Sequence, residues 1–194
     1  MSNTCCNEIR IEGSAKALRK IQNAASAAIK QDDKNAWNMP IALRELGFKD
    51  KDLQTKSIRE DIYEVDTSEK GVLKISTESA WCFQPESWEL IKSKFPSVSI
   101  YFLSEEFGCD VFCTNDTERR HFKMKYALDY SADDDCAVEY FDDDCSLIEF
   151  VHDHFDSTVG SFEEMQSALE EINDRGGDDY ACLHTIDYET SFEL

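Results

Sequence analysis

Residues 6–12, Cys6-Asn7-Glu8-Ile9-Arg10-Ile11-Glu12, alternate with Ile9 and Ile11 on one face, so the chain opens on a strand. Gly13-Ser14 then leads into Leu18, Ile21, Ala25, Ala28 and Ile29 at helical spacing. A polar linker over residues 31–38 precedes a short helix at 40–46, with Pro40 at its start and Gly47 just past its end. Residues 58–66 and 72–78 read as two strands of a hairpin joined by the polar turn 67–71. Pro85 starts a helix carrying Trp88, Ile91 and Phe95, which Pro96 ends. Val98, Ile100 and Phe102 then alternate with Ser99, Tyr101 and Leu103 as a further strand. Residues 105–108 read as a turn, 109–114 as a strand, and 122–130 as another, with Phe122, Met124 and Tyr126 at period two.

In the last third, residues 136–141 form a short strand between two aspartate triplets, Asp133-Asp134-Asp135 and Asp142-Asp143-Asp144, which read as exposed turns. Leu147, Ile148, Val151 and Phe155 make a helical stripe. A second helix begins at Ser161, where Glu164 completes a capping box, and buries Met165, Leu169 and Ile172 before Gly176-Gly177 stops it. Residues 180–188 read as one closing strand.

Charge divides the chain where periodicity does not. The 194 residues carry 20 Lys+Arg against 41 Asp+Glu, a net charge of −21. Residues 129–194 hold 21 of the acidic residues and one basic residue, Arg175. Acidic tails are commonly disordered, but nine aromatics in this stretch, among them Tyr130, Phe141, Phe150 and Tyr180, argue for packing. The expected organisation is therefore a body at 1–128 and an acidic folded appendage at 129–194. No apolar run approaches the ~20 residues that cross a bilayer, and residues 1–10 lack an apolar signal core, which leads to an expectation of a cytoplasmic protein. A strongly negative protein is repelled by phosphate backbones and anionic lipid, so neither nucleic acid nor a membrane is expected as a direct partner. The eight cysteines, without a signal peptide, are expected to be free thiols, several of them buried. Cys109 and Cys113 are expected on one face of a strand, with no second pair to complete a zinc site.

Three stretches together carry a family resemblance: Cys6-Asn7-Glu8-Ile9-Arg10-Ile11-Glu12-Gly13, then Thr77-Glu78-Ser79-Ala80-Trp81-Cys82-Phe83-Gln84-Pro85, then Phe95-Pro96-Ser97-Val98-Ser99-Ile100-Tyr101-Phe102-Leu103-Ser104-Glu105-Glu106-Phe107-Gly108. Over residues 5–130 the chain resembles the YubB-type ferredoxin-like domain family of plasmids, integrative elements and phages. The resemblance implies an antiparallel sheet backed by helices and carries no catalytic residues; the acidic third lies outside it. The fold class expected is thus α+β, a ferredoxin-like body with an acidic α/β C-terminal extension.

Catalytic signatures for phosphate-binding loops, dinucleotide folds, nucleophile elbows and zinc proteases are absent. Glu105, Glu106 and Asp110 are the one carboxylate cluster suited to acid–base work, and no nucleophile or histidine stands beside them. Trp81 and Trp88, with Glu105 and Glu106, outline a candidate ligand groove. Asp133 to Asp144 spans the length of a calcium loop, but Val138 stands where glycine is needed. No cofactor and no metal set is expected.

What remains is the acidic surface: the two triplets, then Glu163, Glu164, Glu170, Glu171 and Asp174 on the last helix, and Asp178 and Asp179 beyond it. An array of fixed carboxylates competes with nucleic acid for Lys and Arg contacts. The expected function is a non-enzymatic acidic binding protein of a mobile element, a nucleic-acid mimic inhibiting a basic nucleic-acid-binding protein of host defence or DNA handling, such as an anti-CRISPR or anti-restriction protein. The alternatives are a divalent-cation-binding or small-ligand-binding module, or an enzyme with carboxylate chemistry.

Overall fold

Residues 4–31, 37–54, 56–132, 135–155, 158–174, 180–189 and 194 are described by a computed structural model. Their elements run β1 (Thr4–Glu12), α1 (Ala15–Lys30), α2 (Met39–Glu45), α3 (Asp50–Leu53), β2 (Glu60–Asp66), β3 (Val72–Ala80), α4 (Pro85–Lys94) and β4 (Ser99–Glu106). A 3₁₀ turn (Phe107–Cys109) leads to β5 (Val111–Thr114), then β6 (Tyr126–Ala132), β7 (Asp135–Phe141), α5 (Asp144–His154), α6 (Phe162–Asp174), β8 (Tyr180–Thr185) and β9 (Asp187–Tyr188). The fold is mixed α+β. The chain forms two compact units, one of residues 1–121 with 188–194 and one of residues 122–187. The expected division at 129 falls inside β6, whose partners β7 and β8 both belong to the second unit.

The first unit holds a six-stranded sheet in the order β2-β3-β1-β4-β5-β9. The pairings of β1 with β3 and β4, of β2 with β3, and of β4 with β5 are antiparallel. The register aligns side chains in rows across the core face. Leu73, Ile11 and Ile100 form one row; Ile75, Ile9 and Phe102 form the next. Both rows are buried with the alanine-rich face of α1, where Ala17, Ile21, Ala24, Ala25 and Ala28 allow a close approach. Ser14 caps α1 by accepting a hydrogen bond from the Ala17 N–H at 3.3 Å. Gly13 is demanded by packing, because a Cβ there would lie 2.8 Å from Val98 Cγ1. Helix α4 starts on Pro85 and buries Trp88 and Ile91 in the same core.

The second unit is a three-stranded antiparallel sheet, β7-β6-β8, with α5 and α6 packed on it. Its core joins Tyr126, Leu128, Tyr130 and Phe141 to Leu147 and Val151 of α5 and Met165, Leu169 and Ile172 of α6. Of the aromatics of the acidic third, Tyr130 and Phe141 are buried in this core and Phe150, Phe155 and Phe162 pack against it, while Tyr140 is exposed. Asp133, Asp134, Arg175, Gly176, Gly177, Asp178, Asp179, most of the 31–38 linker and the side chain of Asp135 lie outside the described residues.

Several expectations change. The segment 180–188 is two strands in two sheets, β8 and β9, separated by Ile186, whose N–H donates to the Lys125 carbonyl. The strand expected to start at Phe122 begins at Tyr126. Cys109 lies in the 3₁₀ turn, away from Cys113 in β5, so the two do not share a strand face. Only Cys5 is buried and Cys113 half-buried; the other six thiols are exposed.

Candidate functional site

The acidic residues of the second unit divide by the work they do. Asp143 ends the turn before α5 and accepts the Ser146 N–H at 2.9 Å, which makes it the helix N-cap and holds its carboxyl below its ordinary pKa. Asp144 takes the Lys125 ammonium at 2.6 Å and the Tyr126 hydroxyl at 3.0 Å, and these bonds lower its pKa too. The second triplet is the exposed turn expected, with Asp142 and Asp143 exposed, and it also caps and pairs; Asp142 takes part in neither bond.

Helix α6 is different. Its buried stripe, Met165, Leu169 and Ile172, leaves Glu163, Glu164, Glu170, Glu171 and Asp174 exposed, with no basic residue in its last turn. Glu164 also closes the helix start. Its Oε2 accepts the Gly160 N–H at 2.8 Å, while the Ser161 hydroxyl accepts the Glu164 N–H at 3.2 Å. The pairs 163–164 and 170–171 stand two turns apart, about 10 Å along the axis. The second unit as a whole carries 19 Asp/Glu against Lys123, Lys125 and Arg175, a net of −16.

The groove outlined by Trp81, Trp88, Glu105 and Glu106 does not assemble. Trp88 is 0% exposed inside the core, whereas Trp81 is 50% exposed at a left-handed φ of 74°. Glu105 and Glu106 are neighbours on β4 and project from opposite faces of the sheet, so they cannot share a proton as an acid–base pair. Asp110 is the left-handed residue that ends the 3₁₀ turn.

In its place the structure shows a polar end to the first unit's core. Beyond the two apolar rows, the same face continues with Thr77, Asn7 and Ser104, then with Glu60, Ser79 and Cys5. Ser104 donates to Asn7 Oδ1 at 2.7 Å, and Asn7 Nδ2 donates to Thr77 Oγ1 at 3.2 Å and Ser79 Oγ at 3.0 Å. Thr77 in turn donates to Glu60 Oε1 at 2.8 Å, which also receives the Trp88 indole N–H at 3.0 Å. Among the described residues, no ion pair engages Glu60. Burial, outweighing the bonds from Thr77 and Trp88, raises its pKa from 4.5 to about 7. Cys5, 3.0 Å from the Ser104 hydroxyl, is pushed up to about 11 by burial and stays a thiol. Glu60, Thr77, Asn7 and Ser104 are all at most 1% exposed, which leaves no room for a substrate.

Sequence reasoning missed this cluster although a signal exists. Cys5 and Asn7 are in phase with Ile9 and Ile11, and Glu60 is in phase with Ile62, so polar residues occupy inward positions. Among the described residues, no helix is long and apolar enough to cross a membrane. Compared with protein-family models, with curated proteins and with solved structures, the chain matches none.

Proposed function

We propose that the chain is a non-enzymatic binding protein of a mobile element. In this reading its acidic second unit docks on a basic, nucleic-acid-binding protein of host defence or DNA handling, in the manner of an anti-CRISPR or anti-restriction inhibitor. One observation carries the reading: α6 holds five exposed carboxylates on a helix anchored by its own core, in a unit of net charge −16. Carboxylates held on a rigid frame lose less freedom on binding than those of a tail, and such an array gains salt-sensitive affinity for Lys and Arg that otherwise hold phosphates. A solvated face kept for solubility needs no such density, since self-repulsion destabilises the compact state.

The first unit supports the accompanying family reading. Leaving aside α2 and α3, which follow α1, its elements β1, α1, β2, β3, α4 and β4 run strand-helix-strand-strand-helix-strand, and the strand order β2-β3-β1-β4 within the sheet matches a ferredoxin-like domain. That agrees with the resemblance to YubB-type domains. The six exposed free thiols suit a reducing, cytoplasmic setting.

The test is affinity capture from host lysate at about 0.15 M and about 0.5 M salt, using the wild type and a Glu163→Lys/Glu170→Lys/Glu171→Lys variant. Glu164 is kept because it caps the helix. The expected result is a nucleic-acid-binding protein held at low salt, released at high salt, displaced by its own nucleic acid, and lost in the variant. Capture unchanged by charge reversal overturns the proposal.

A further inference from the structure

On an otherwise acidic protein, the first unit carries a groove of about 850 Å³ whose polar rim is cationic. The N-terminal half of α1 forms one wall and the turn between β2 and β3 forms the other. Lys16, Arg19 and Lys20 stand on the helix side and Lys70 on the turn; all four are exposed, and no ion pair engages any of them among the described residues. The one acidic residue in the lining, Glu69, pairs with Lys74 at 3.1 Å, outside the lining. The first turn of α1 contains no acidic residue, so the positive end of a 16-residue helix dipole adds to the same field. The floor is apolar: Leu18 is half-buried, and Val72 and Leu73 are buried. Gly71, at φ +87°, has nothing within 4 Å of where a side chain would begin, which leaves the turn backbone open to the groove.

We propose that this groove binds a small, multiply charged organic anion of the phosphate-ester class. Four cations at one rim match a ligand of charge −2 to −4, and Arg19 offers the planar fork that grips phosphate oxygens in pairs. The ligand's organic body lies on Leu18 and the edge of Val72, above the buried Leu73. The size is that of a small-molecule pocket, typically ~300–1,000 Å³. A compact ligand lies within a Debye length, about 8 Å, of the whole rim. The site draws on different residues from the α6 face and stands or falls separately from it.

The test is calorimetric titration of the full chain at about 0.15 M salt with inorganic pyrophosphate, which carries charge alone, and with adenosine diphosphate, which carries charge and body. Saturable binding is expected for both, tighter for the diphosphate ester. An Arg19→Gln/Lys70→Gln variant is expected to lose at least about tenfold in affinity. A Glu170→Gln/Glu171→Gln variant is expected to bind as the wild type does. The substituted side chains are exposed, and an unchanged melting temperature verifies that the fold is intact. Absence of binding below millimolar concentration, or equal binding by the Arg19/Lys70 variant, overturns the proposal. Pyrophosphate binding as tightly as the ester overturns the assignment of the apolar floor.

Discussion

Trp88 on α4 donates its indole N–H to Glu60 on β2 at 3.0 Å, with both side chains fully withdrawn from solvent. The bond ties a helix to an outer strand through a carboxyl group that no ion pair engages among the described residues. Because the folded-state pKa of Glu60 is raised, the native state binds a proton between pH 4.5 and about 7 that the unfolded chain has released. Stability therefore falls as pH rises through that window, by a few kcal/mol, and levels off above it. Glu60→Gln, which keeps the acceptor for Thr77 and Trp88, should flatten this slope and be the more stable form at pH 8. Urea denaturation at intervals from pH 5 to 8 checks it; a parallel slope in the variant would refute the assignment.

Asn7 joins three strands, taking Ser104 on one side and giving to Thr77 and Ser79 on the other. Asn7→Ala removes three buried hydrogen bonds, although Thr77, Ser79 and Ser104 keep Glu60, the Cys82 carbonyl and Cys5 as partners, and the expected loss is about 1–3 kcal/mol. Glu60→Gln should show no such loss, so the two variants compared in the same denaturant titration separate hydrogen bonding from charge.

Trp81 holds a left-handed conformation that costs a residue with a Cβ roughly 1–2 kcal/mol. Trp81→Ala and Trp81→Gly both remove the ring, so their difference reports the backbone alone. Glycine should be the more stable of the two by about 1 kcal/mol, the reverse of the order in a helix. Equal melting temperatures would mean that the strain is relaxed in solution.

The second aspartate triplet makes an uneven prediction. Asp143→Ala removes the α5 cap and should lower the melting temperature of the second unit, whereas Asp142→Ala should leave it unchanged. The cap also has a pH signature of the opposite sign to that of Glu60: with a lowered pKa, Asp143 contributes stability that is lost as pH falls through the carboxylate range. Circular dichroism melts at pH 3 and pH 7 distinguish the two effects.

Local periodicity and caps made most elements legible. Ser14 and Pro85 mark real helix starts, and Ile9/Ile11 and Ile100/Phe102 face the core as alternation requires. The losses lie where tertiary partners decide. Nothing between Tyr180 and Tyr188 signals that the chain changes sheets at Ile186, because alternation reports a face and not a neighbour. Phe122 and Met124 continue the period of Tyr126 without pairing in β6. The carboxylate array of α6 was legible because a stripe and a cap define a helix. The cationic groove was not, because Lys70 comes to α1 only through the hairpin that folds between them.

The strand that completes the first sheet, β9, follows β6, β7 and β8 in the chain. Edge strand β5 receives β9, and Thr114 receives the Glu189 N–H, only after residues 122–187 have been synthesised. At a translation rate of roughly 5–20 residues per second, β5 stays bare for several seconds while the second unit emerges. An unpaired edge of that kind is a template for other chains. Copies still being synthesised are thus most exposed to one another during that interval, and the early folding of an acidic second unit gives them mutual repulsion.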